Sequence, residues 1–170
     1  MTELILRRYK TADAEQLKDL DDSPKDYQEN APKKQIISAE EYDKGVKQTE
    51  DELGWLNYSV VLSKNNKEKI IGSVVFRDME PKENRRAYID YYLDKSCQGK
   101  GYGTILVELI IEIAKKKNFN KLMADPEVNN KGSCKILEKN GFRLVGVLKR
   151  HEKQNWSERF DDKRLYEILL

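Results

Sequence analysis

The sequence predicts a single α/β domain across residues 1–170, with strands and helices mixed along the chain. Short apolar runs bounded by turn residues are typical of strands, and the run 69–76 follows an Asn65-Asn66 turn and an earlier run, which indicates a β-hairpin. Apolar residues spaced at three and four within 105–114 instead mark one face of a helix. The chain has no internal repeat and no linker, and its length suits one continuous core.

The remaining elements follow from local start and stop signals. Thr11 is placed to cap a helix, Ser38 and Glu41 form a capping box that starts another, and Gly141 supplies a left-handed residue that ends a third. The predicted elements in chain order are a strand at 4–9, a helix at 11–20, a long polar loop at 21–37, a helix at 38–53, strands at 58–62, 69–76 and 86–93, a helix at 105–117, a strand at 121–124, a helix at 133–139, and closing strands at 142–148 and 164–169 with a loop at 151–163 between them.

Composition and charge exclude several classes of protein. Lys and Arg number 32 against 30 Asp and Glu, so the net charge of +2 gives no argument for a nucleic-acid partner. No apolar stretch approaches the roughly 20 residues that span a bilayer, and the N terminus does not resemble an export signal. We therefore expect a cytoplasmic protein in which Cys97 and Cys134 are reduced. With His151 as the only histidine, a zinc site is not expected, and no metal is predicted.

The most informative segment, 91–104, leads from a strand through a glycine-rich turn into the amphipathic helix. Gly99, Gly101 and Gly103 allow a tight turn with outward-facing N–H groups. The start of the following helix adds its unpaired amides and the positive end of its dipole. Together these features predict an anion site suited to a pyrophosphate. A glycine-rich helix start without any ligand is the simpler alternative.

Two familiar phosphate loops do not fit this spacing. A P-loop requires Gly-Lys followed directly by Ser or Thr, whereas Lys100 is followed by Gly101. The dinucleotide fingerprint requires two residues between its second and third glycines, whereas a single residue separates Gly101 from Gly103. The anion site therefore belongs to neither of these classes.

The segment 98–103, Gln-Gly-Lys-Gly-Tyr-Gly, resembles the Gln/Arg-x-x-Gly-x-Gly/Ala loop of the GNAT acetyltransferase superfamily, which grips the coenzyme A pyrophosphate. The segment 130–142, with Asn-x-x-Ser at its start and Glu-Lys-x-Gly-Phe at its end, resembles that superfamily's second cofactor segment. These pieces are most similar to the branch that contains the ribosomal-protein-alanine acetyltransferases, as are 71–73 and 162–166. The resemblance covers nearly the whole chain and is specific from about residue 69 onward.

This resemblance implies acetyl-CoA as the cofactor and a mixed, mostly antiparallel sheet of six or seven strands with helices on both faces. In the family, the strand before the loop splays from its neighbour, and its main chain bonds the pantetheine arm. Acetyl-CoA would then lie in a V-shaped opening after the fourth strand, and the acceptor would enter past 21–37 and 151–163. The implied cofactor-binding residues are Tyr91, Tyr92, Leu93, Gln98, Gly99, Lys100, Gly101, Tyr102, Gly103, Thr104 and Asn130.

Asp90 is a candidate catalytic and amine-binding residue. Strand alternation places it between Tyr88 and Tyr92 on one face. An ammonium group must lose a proton before it attacks a thioester, and a carboxylate takes such a proton directly or through water. Some aminoglycoside acetyltransferases of the superfamily resemble this stretch, with a later Asp-Pro like Asp125-Pro126. Asp125 is therefore a candidate second ligand for the amine, although a simple strand end is the favoured alternative for it. A plain hydrogen-bonded strand carboxylate stays open for Asp90.

Ser133 is a candidate catalytic residue for the leaving group. Members of the superfamily often carry a tyrosine that protonates the departing thiolate, and its expected position in this chain is Leu137. Ser133 is then the substitute, as in the Asn-x-x-Ser branch. A serine that only caps the helix start is the open alternative.

These residues predict an acetyl-CoA-dependent N-acetyltransferase that moves an acetyl group to a primary amine by direct attack. The acceptor stays open among a protein N terminus, an aminoglycoside, a polyamine and a small amino compound. The alternative function is a non-catalytic coenzyme A-binding sensor or interaction module. Neither a nucleic acid nor a membrane is an expected partner, and a homodimer is compatible with the resemblance.

Overall fold

The computed structural model describes residues 2–20, 38–65, 67–79, 82–153 and 158–170. Within these residues, seven strands form one sheet, and four α-helices accompany it. The strands are β1 (Thr2–Arg8), β2 (Leu56–Lys64), β3 (Lys67–Arg77), β4 (Arg86–Leu93), β5 (Lys121–Ala124), β6 (Arg143–Lys153) and β7 (Phe160–Leu169). The helices are α1 (Ala14–Leu17), α2 (Ala39–Leu53), α3 (Tyr102–Lys116) and α4 (Lys131–Lys139). None of these helices has the length and apolar character needed to cross a membrane.

The strand order in the sheet is β1-β2-β3-β4-β5-β7-β6. Every neighbouring pair is antiparallel except β4 and β5, which are parallel. The mixed, mostly antiparallel sheet is therefore confirmed. The β4–β5 pairing runs only from Arg86 opposite Lys121 to Tyr88 opposite Met123, whereas β4 continues to Leu93. This early end of the pairing creates an opening beside the second half of β4, which we call the β4–β5 opening.

Helices cover both faces of the sheet, as the sequence predicts. Because side chains alternate along a strand, strands β1 to β4 contribute to two separate cores. On one face α3 and α4 close the larger core, and on the other α1 and α2 close a smaller one. The larger core includes Val74, Phe76, Ile89, Leu93, Leu106, Ile110, Leu122, Leu137 and Tyr166. The smaller core includes Leu17, Leu20, Val61 and Ile70, with Tyr42 and Tyr92 packed against it.

Strong local signals place their elements correctly. The Ser38 hydroxyl accepts a hydrogen bond from the Glu41 N–H at 3.1 Å, and the Glu41 carboxylate accepts one from the Ser38 N–H at 2.8 Å. This reciprocal capping box starts α2, which ends at Gly54 with a φ of 65°. The β2–β3 hairpin and the helix stop at Gly141, with a φ of 84°, are also confirmed.

The helix predicted at 11–20 is wrong in its length and its cap. A 3₁₀ turn, Thr11–Asp13, precedes the short α1, and the capping residue is Lys10. The carboxylate of Asp13 accepts a hydrogen bond from the Lys10 N–H at 3.0 Å and also binds side chains of the sheet. These contacts with the sheet draw the start of the helix into a tighter turn, which local propensity does not predict.

The loop predicted at 151–163 is also too long, because β6 extends through Lys153 and β7 begins at Phe160. β6 is an edge strand of the sheet. Its last residues, 149–153, are charged or polar, so the apolar alternation that indicates a strand fades there. Charged pairs link the two strands instead, with Lys163 Nζ at 2.5 Å from a Glu152 oxygen. The helix predicted at 133–139 begins earlier, at Lys131. The predicted loop at 21–37 lies outside the described residues.

Candidate active site

The backbone of β4 faces the β4–β5 opening at alternate residues. The Asp94 N–H donates to the Ile71 carbonyl of β3 at 2.7 Å, which fixes the side to which even-numbered β4 residues point their backbone groups. In a strand the following residue points the other way. Tyr91 and Leu93 therefore turn their backbone groups to the opening, whereas Tyr92 turns its groups to β3. Of the three residues expected to bind pantetheine through the main chain, this geometry suits Tyr91 and Leu93.

The turn between β4 and α3 is held by its own side chains. The Asp94 carboxylate accepts a hydrogen bond from the Ser96 N–H at 3.0 Å, which orders the first part of the turn. The Gln98 side-chain amide donates to the Leu93 carbonyl at 2.9 Å, which ties the glycine segment back to the end of β4. Gln98 therefore shapes the loop beside the opening.

The start of α3 fits a pyrophosphate. Gly99 and Gly101 adopt left-handed φ angles of 74° and 85°, and Gly101 is the capping residue of α3. A Cβ atom added to Gly101 would meet no atom within 4 Å, so the space in front of this backbone is open to a ligand. In the described part of the chain, the N–H groups of residues 99–103 donate to no backbone acceptor. An open, glycine-lined helix start with unpaired N–H groups is what a phosphate oxygen requires.

Gly103 has a different role from the other two glycines. A side chain on it would lie 2.6 Å from the Ile136 Cδ1 atom of α4, so the glycine allows α3 and α4 to pack closely. Thr104 bonds within the turn, since its N–H donates to the Gly101 carbonyl at 3.1 Å. The close packing brings the start of α4 near the β4–β5 opening.

The two helix-start residues expected at α4 do lie together. Asn130 is the capping residue, and its side-chain oxygen accepts a hydrogen bond from the Ser133 N–H at 3.0 Å. Ser133 itself does not cap the helix, because its hydroxyl lies 2.8 Å from the hydroxyl of Tyr91. Leu137, the position expected for a tyrosine, is fully buried in the core.

The side chain of Tyr91 is a site feature that the sequence did not predict. Alternation places it on the α3–α4 face, where it packs against the larger core. Burial raises the pKa of Tyr91 well above the ordinary tyrosine value, although the contact with Ser133 acts in the opposite direction. The phenol therefore stays protonated and available as a hydrogen-bond donor.

A second unpredicted residue, Arg77 at the end of β3, joins the two aspartates named from the sequence. Its Nε donates to an Asp90 oxygen at 2.6 Å, and one terminal nitrogen donates to an Asp125 oxygen at 2.6 Å. Its other terminal nitrogen donates to Asp78 at 2.6 Å. The guanidinium also lies over the ring of Tyr88, 4.7 Å from the ring centre. We call Arg77, Asp78, Asp90 and Asp125 the acidic cluster.

The acidic cluster carries more negative than positive charge. Among the described residues, three carboxylates contact the single guanidinium of Arg77. The pKa of Asp90 is raised above the ordinary aspartate value, first because its carboxylate is partly removed from water. Arg77 lowers this pKa, whereas the charges of Asp125 and Asp78 raise it further. About half of the Asp90 side chain (51%) is still exposed, so the carboxylate is accessible to a ligand.

Asp90 and Tyr91 are consecutive residues of β4 and point to opposite faces of the sheet. The acidic cluster therefore lies on the α1–α2 face of the β4–β5 opening, and the Tyr91–Ser133 hydroxyl pair lies on the α3–α4 face. The role of Arg77 and the side-chain contact of Tyr91 were not predicted because their partners are far along the chain: Asp125 is 48 residues from Arg77, and Ser133 is 42 residues from Tyr91. The adjacent Asp78 was a local signal available for Arg77.

Comparison with known proteins identifies the family. Residues 3–143 match the acetyltransferase (GNAT) domain family. The chain is 30% identical over 137 residues to the ribosomal-protein-serine acetyltransferase of Escherichia coli (strain K12), an alignment that covers 80% of this chain and 75% of the relative. For three further curated relatives, the aligned part spans 41%, 49% and 53% of the relative's own length.

Solved structures share the fold over nearly the whole chain. The ribosomal-protein-S5-alanine acetyltransferase from Vibrio fischeri has a TM-score of 0.77 at 23% identity, and the match covers 98% of this chain and 92% of that one. Mutant forms of the spermidine/spermine N-acetyltransferase SpeG from Vibrio cholerae have a TM-score of 0.75 at 20% identity, with 98% and 95% covered. The expected resemblance is confirmed, and the chain belongs to the GNAT acetyltransferase family as an N-acetyltransferase domain.

Proposed function

We propose that this protein is an acetyl-CoA-dependent N-acetyltransferase that moves the acetyl group to a primary amine by direct attack. The observation that carries this proposal is that β4 continues beyond its pairing with β5 and leads directly into the open helix start at Gly101. A thioester beside β4 would then be reachable from both faces of the opening. We also propose that residues 1–170 form a single acetyltransferase domain.

Several parts of the chain would hold the cofactor. The N–H groups of 99–103 would bind the pyrophosphate, and the backbone of Tyr91 and Leu93 would bond the pantetheine arm. The side-chain amide of Asn130 would contact the same arm, since its oxygen is already used by the Ser133 N–H. Acetyl-CoA supplies the activated acetyl thioester. The backbone N–H groups at the opening would stabilise negative charge that develops on the thioester oxygen.

Asp90 would bind the acceptor ammonium and take its proton, with Asp125 as a second ligand. A raised pKa makes Asp90 a stronger base than an ordinary aspartate. The surplus negative charge of the acidic cluster favours an acceptor that itself carries positive charge. N-terminal peptides, polyamines and aminoglycosides all meet this condition. Relatives named for a ribosomal protein and for spermidine support testing N-terminal peptides and polyamines in particular.

Ser133 would serve the leaving group. Its hydroxyl lies on the opposite face of the opening from Asp90, where it can donate toward the sulfur of coenzyme A. A hydrogen-bond donor to the leaving thiolate on one face and a proton acceptor for the amine on the other allow the two groups to be served separately.

The cofactor assignment is tested by acetyl-CoA binding to Gly101→Val, measured by calorimetry. The added side chain would occupy the proposed pyrophosphate position, so we expect the Kd to rise about tenfold to a hundredfold, as for the loss of one or two charge-assisted hydrogen bonds. Gly54→Val is the matched control, because Gly54 has a similar left-handed φ of 65° and similarly open surroundings, at the end of α2. Equal affinity in both folded variants would contradict the assignment.

The enzymatic assignment is tested by release of free thiol from acetyl-CoA against N-terminal peptides, polyamines, aminoglycosides and small amino compounds. We expect turnover with at least one positively charged primary amine. Acetyl-CoA binding without turnover on the whole panel would favour the sensor function instead. No binding of acetyl-CoA would contradict both.

We further propose a homodimer formed through the β6 edge of the sheet. β6 is an edge strand, and its exposed apolar side chains Leu144, Val145 and Val147 are each more than 40% accessible. A dimer mass in light scattering that is lost in Val145→Lys would support this assembly. A monomer mass for the unmodified protein would contradict it.

A further inference from the structure

We propose that the Tyr91 hydroxyl is a positioning residue for Ser133: it donates its hydrogen to the Ser133 oxygen and so directs the Ser133 O–H toward the sulfur of coenzyme A. This inference rests on the proposed function and deepens it, because it assigns a role to a side chain that the resemblance does not include. It stands on the contact of 2.8 Å between the two hydroxyl oxygens.

The hydroxyl of a serine in the first turn of a helix has competing positions. It commonly turns back to bond a backbone carbonyl of the preceding turn, in which case it donates nothing to a ligand. At this helix the Ser133 oxygen lies within hydrogen-bond distance of the Tyr91 hydroxyl, at 2.8 Å. The Tyr91 hydroxyl supplies a fixed partner on the side of the opening, which holds the Ser133 oxygen there.

The direction of this hydrogen bond follows from acidity. A phenol, with an ordinary pKa near 10, is a much stronger donor than an aliphatic hydroxyl, so Tyr91 donates and Ser133 accepts. The hydrogen of Ser133 then points away from Tyr91 and remains available. Because the tyrosine ring packs against the core and its strand is paired with β3 at Val74, the donor is held in place before any ligand binds.

Tyr91 does not pass its own proton to the leaving group. Its pKa is raised by burial, whereas a thiol has a pKa near 8.5, so a thiolate is too weak a base to deprotonate this phenol. The pair therefore acts through hydrogen bonds, and no proton leaves Tyr91. This distinguishes a positioning role from a proton relay.

The test is a double-mutant cycle of Tyr91→Phe and Ser133→Ala, with kcat and the KM for acetyl-CoA measured on an amine that the unmodified protein acetylates. Tyr91→Phe retains the ring and the main chain, so we expect kcat to fall about tenfold while KM changes less than twofold. The double variant should be no slower than Ser133→Ala alone, because both changes remove the same hydrogen bond to the sulfur.

Tyr166→Phe is the control, since it removes another tyrosine hydroxyl that contacts α4, in this case Glu138 at 2.7 Å. Its kcat should remain within twofold of the unmodified protein, and thermal unfolding of every variant shows whether it is folded. Incorporation of 4-aminophenylalanine at position 91 restores a donor and should recover most of the rate. If Tyr91→Phe is unstable, the variant with 4-aminophenylalanine at position 91 and Ser133→Ala still carry the test.

The possible failures are distinguishable. A full rate in Tyr91→Phe, or additive losses in the double variant, would overturn the role of Tyr91 while leaving the acetyltransferase activity in place. No turnover by the unmodified protein on any amine would overturn the proposed function, and with it this inference.

Discussion

The Arg7–Asp13 pair and the acidic cluster lie on the same face of the sheet, yet they differ in their balance of charge. Asp13 is buried, and a single arginine binds both of its oxygens, at 2.7 and 2.9 Å. In the acidic cluster, by contrast, Arg77 is shared among three carboxylates of the described residues, and Asp90 is about half exposed.

The hydrogen bonds around Asp13 form a closed set. Besides Arg7, the Ser59 hydroxyl donates to the carboxylate at 2.6 Å and the Lys10 N–H at 3.0 Å. Burial acts to raise the pKa of Asp13, but the hydrogen bonds from Arg7, Ser59 and Lys10 outweigh it and lower that pKa. This cluster neutralises itself and serves to join β1, β2 and the first helical turn.

The acidic cluster is not neutral within the described residues. Burial and neighbouring carboxylates raise the pKa of Asp90 despite its contact with Arg77. A ligand with a positive charge would neutralise the surplus negative charge of the acidic cluster, as Arg7 neutralises Asp13. Arginine–aspartate contacts alone therefore do not identify a binding site for a cationic ligand, whereas an accessible surplus of negative charge does.

The largest effect that we expect is loss of stability in Asp13→Asn. Removing one partner of a buried ion pair costs roughly 3–5 kcal/mol, and because Arg7 is partly exposed we expect about 3 kcal/mol. Urea unfolding measures this change. Asp19→Asn, at an exposed aspartate of the same segment, is the control and should change the free energy of unfolding by less than about 0.5 kcal/mol. Equal effects of the two substitutions would contradict the structural role.

Asp90→Asn should separate stability from activity. We expect kcat/KM for a cationic amine to fall about a hundredfold, or about 2.7 kcal/mol, because the proton acceptor is lost. The melting temperature should be unchanged or higher, since the surplus negative charge is reduced. A folded variant with full activity would remove Asp90 from the mechanism.

The two aspartates should also respond to pH in opposite directions. The stability contributed by Asp13, whose pKa is lowered, is present above about pH 3.9 and is lost as pH falls through its folded-state pKa. The contribution of Asp90, whose pKa is raised, is present below about pH 3.9 and is lost as pH rises through its folded-state pKa. Unfolding from pH 3 to pH 8 should therefore show Asp13→Asn losing, and Asp90→Asn gaining, stability relative to the unmodified protein as pH rises.

The smallest effect should come from Asp125→Asn. This residue is placed as a second ligand, so we expect the KM for a cationic amine to rise about threefold to tenfold with little change in kcat. Measuring a singly charged and a multiply charged amine side by side sharpens the result. An unchanged KM for both would assign Asp125 to the support of Arg77 alone.

The sequence predicted what short-range signals encode. The Ser38–Glu41 capping box, the β2–β3 hairpin and the glycine segment before α3 each depend on residues close together in the chain, and the structure has all three. The boundary at 11–20 was wrong because contacts of Asp13 with the sheet overrode the local pattern, and that at 151–163 because β6 is an exposed sheet edge.

The side-chain partnerships of the candidate site were out of reach of such signals. Asp90 and Ser133 were named from the sequence, and so was the main chain of Tyr91, but the side-chain contacts that Arg77 and Tyr91 make with Asp90 and Ser133 were not. Each contact depends on how the strands and helices are arranged, so no spacing in the sequence encodes it. The expected loop at 21–37 lies outside the described residues.

The most direct test of the central claim is mass spectrometry of the amine panel after incubation with acetyl-CoA and the unmodified protein. We expect an acetylated primary amine on a positively charged acceptor, formed in equal amount with free coenzyme A and much reduced in Asp90→Asn. Thiol release without an acetylated amine, or no reaction with any acceptor, would contradict it.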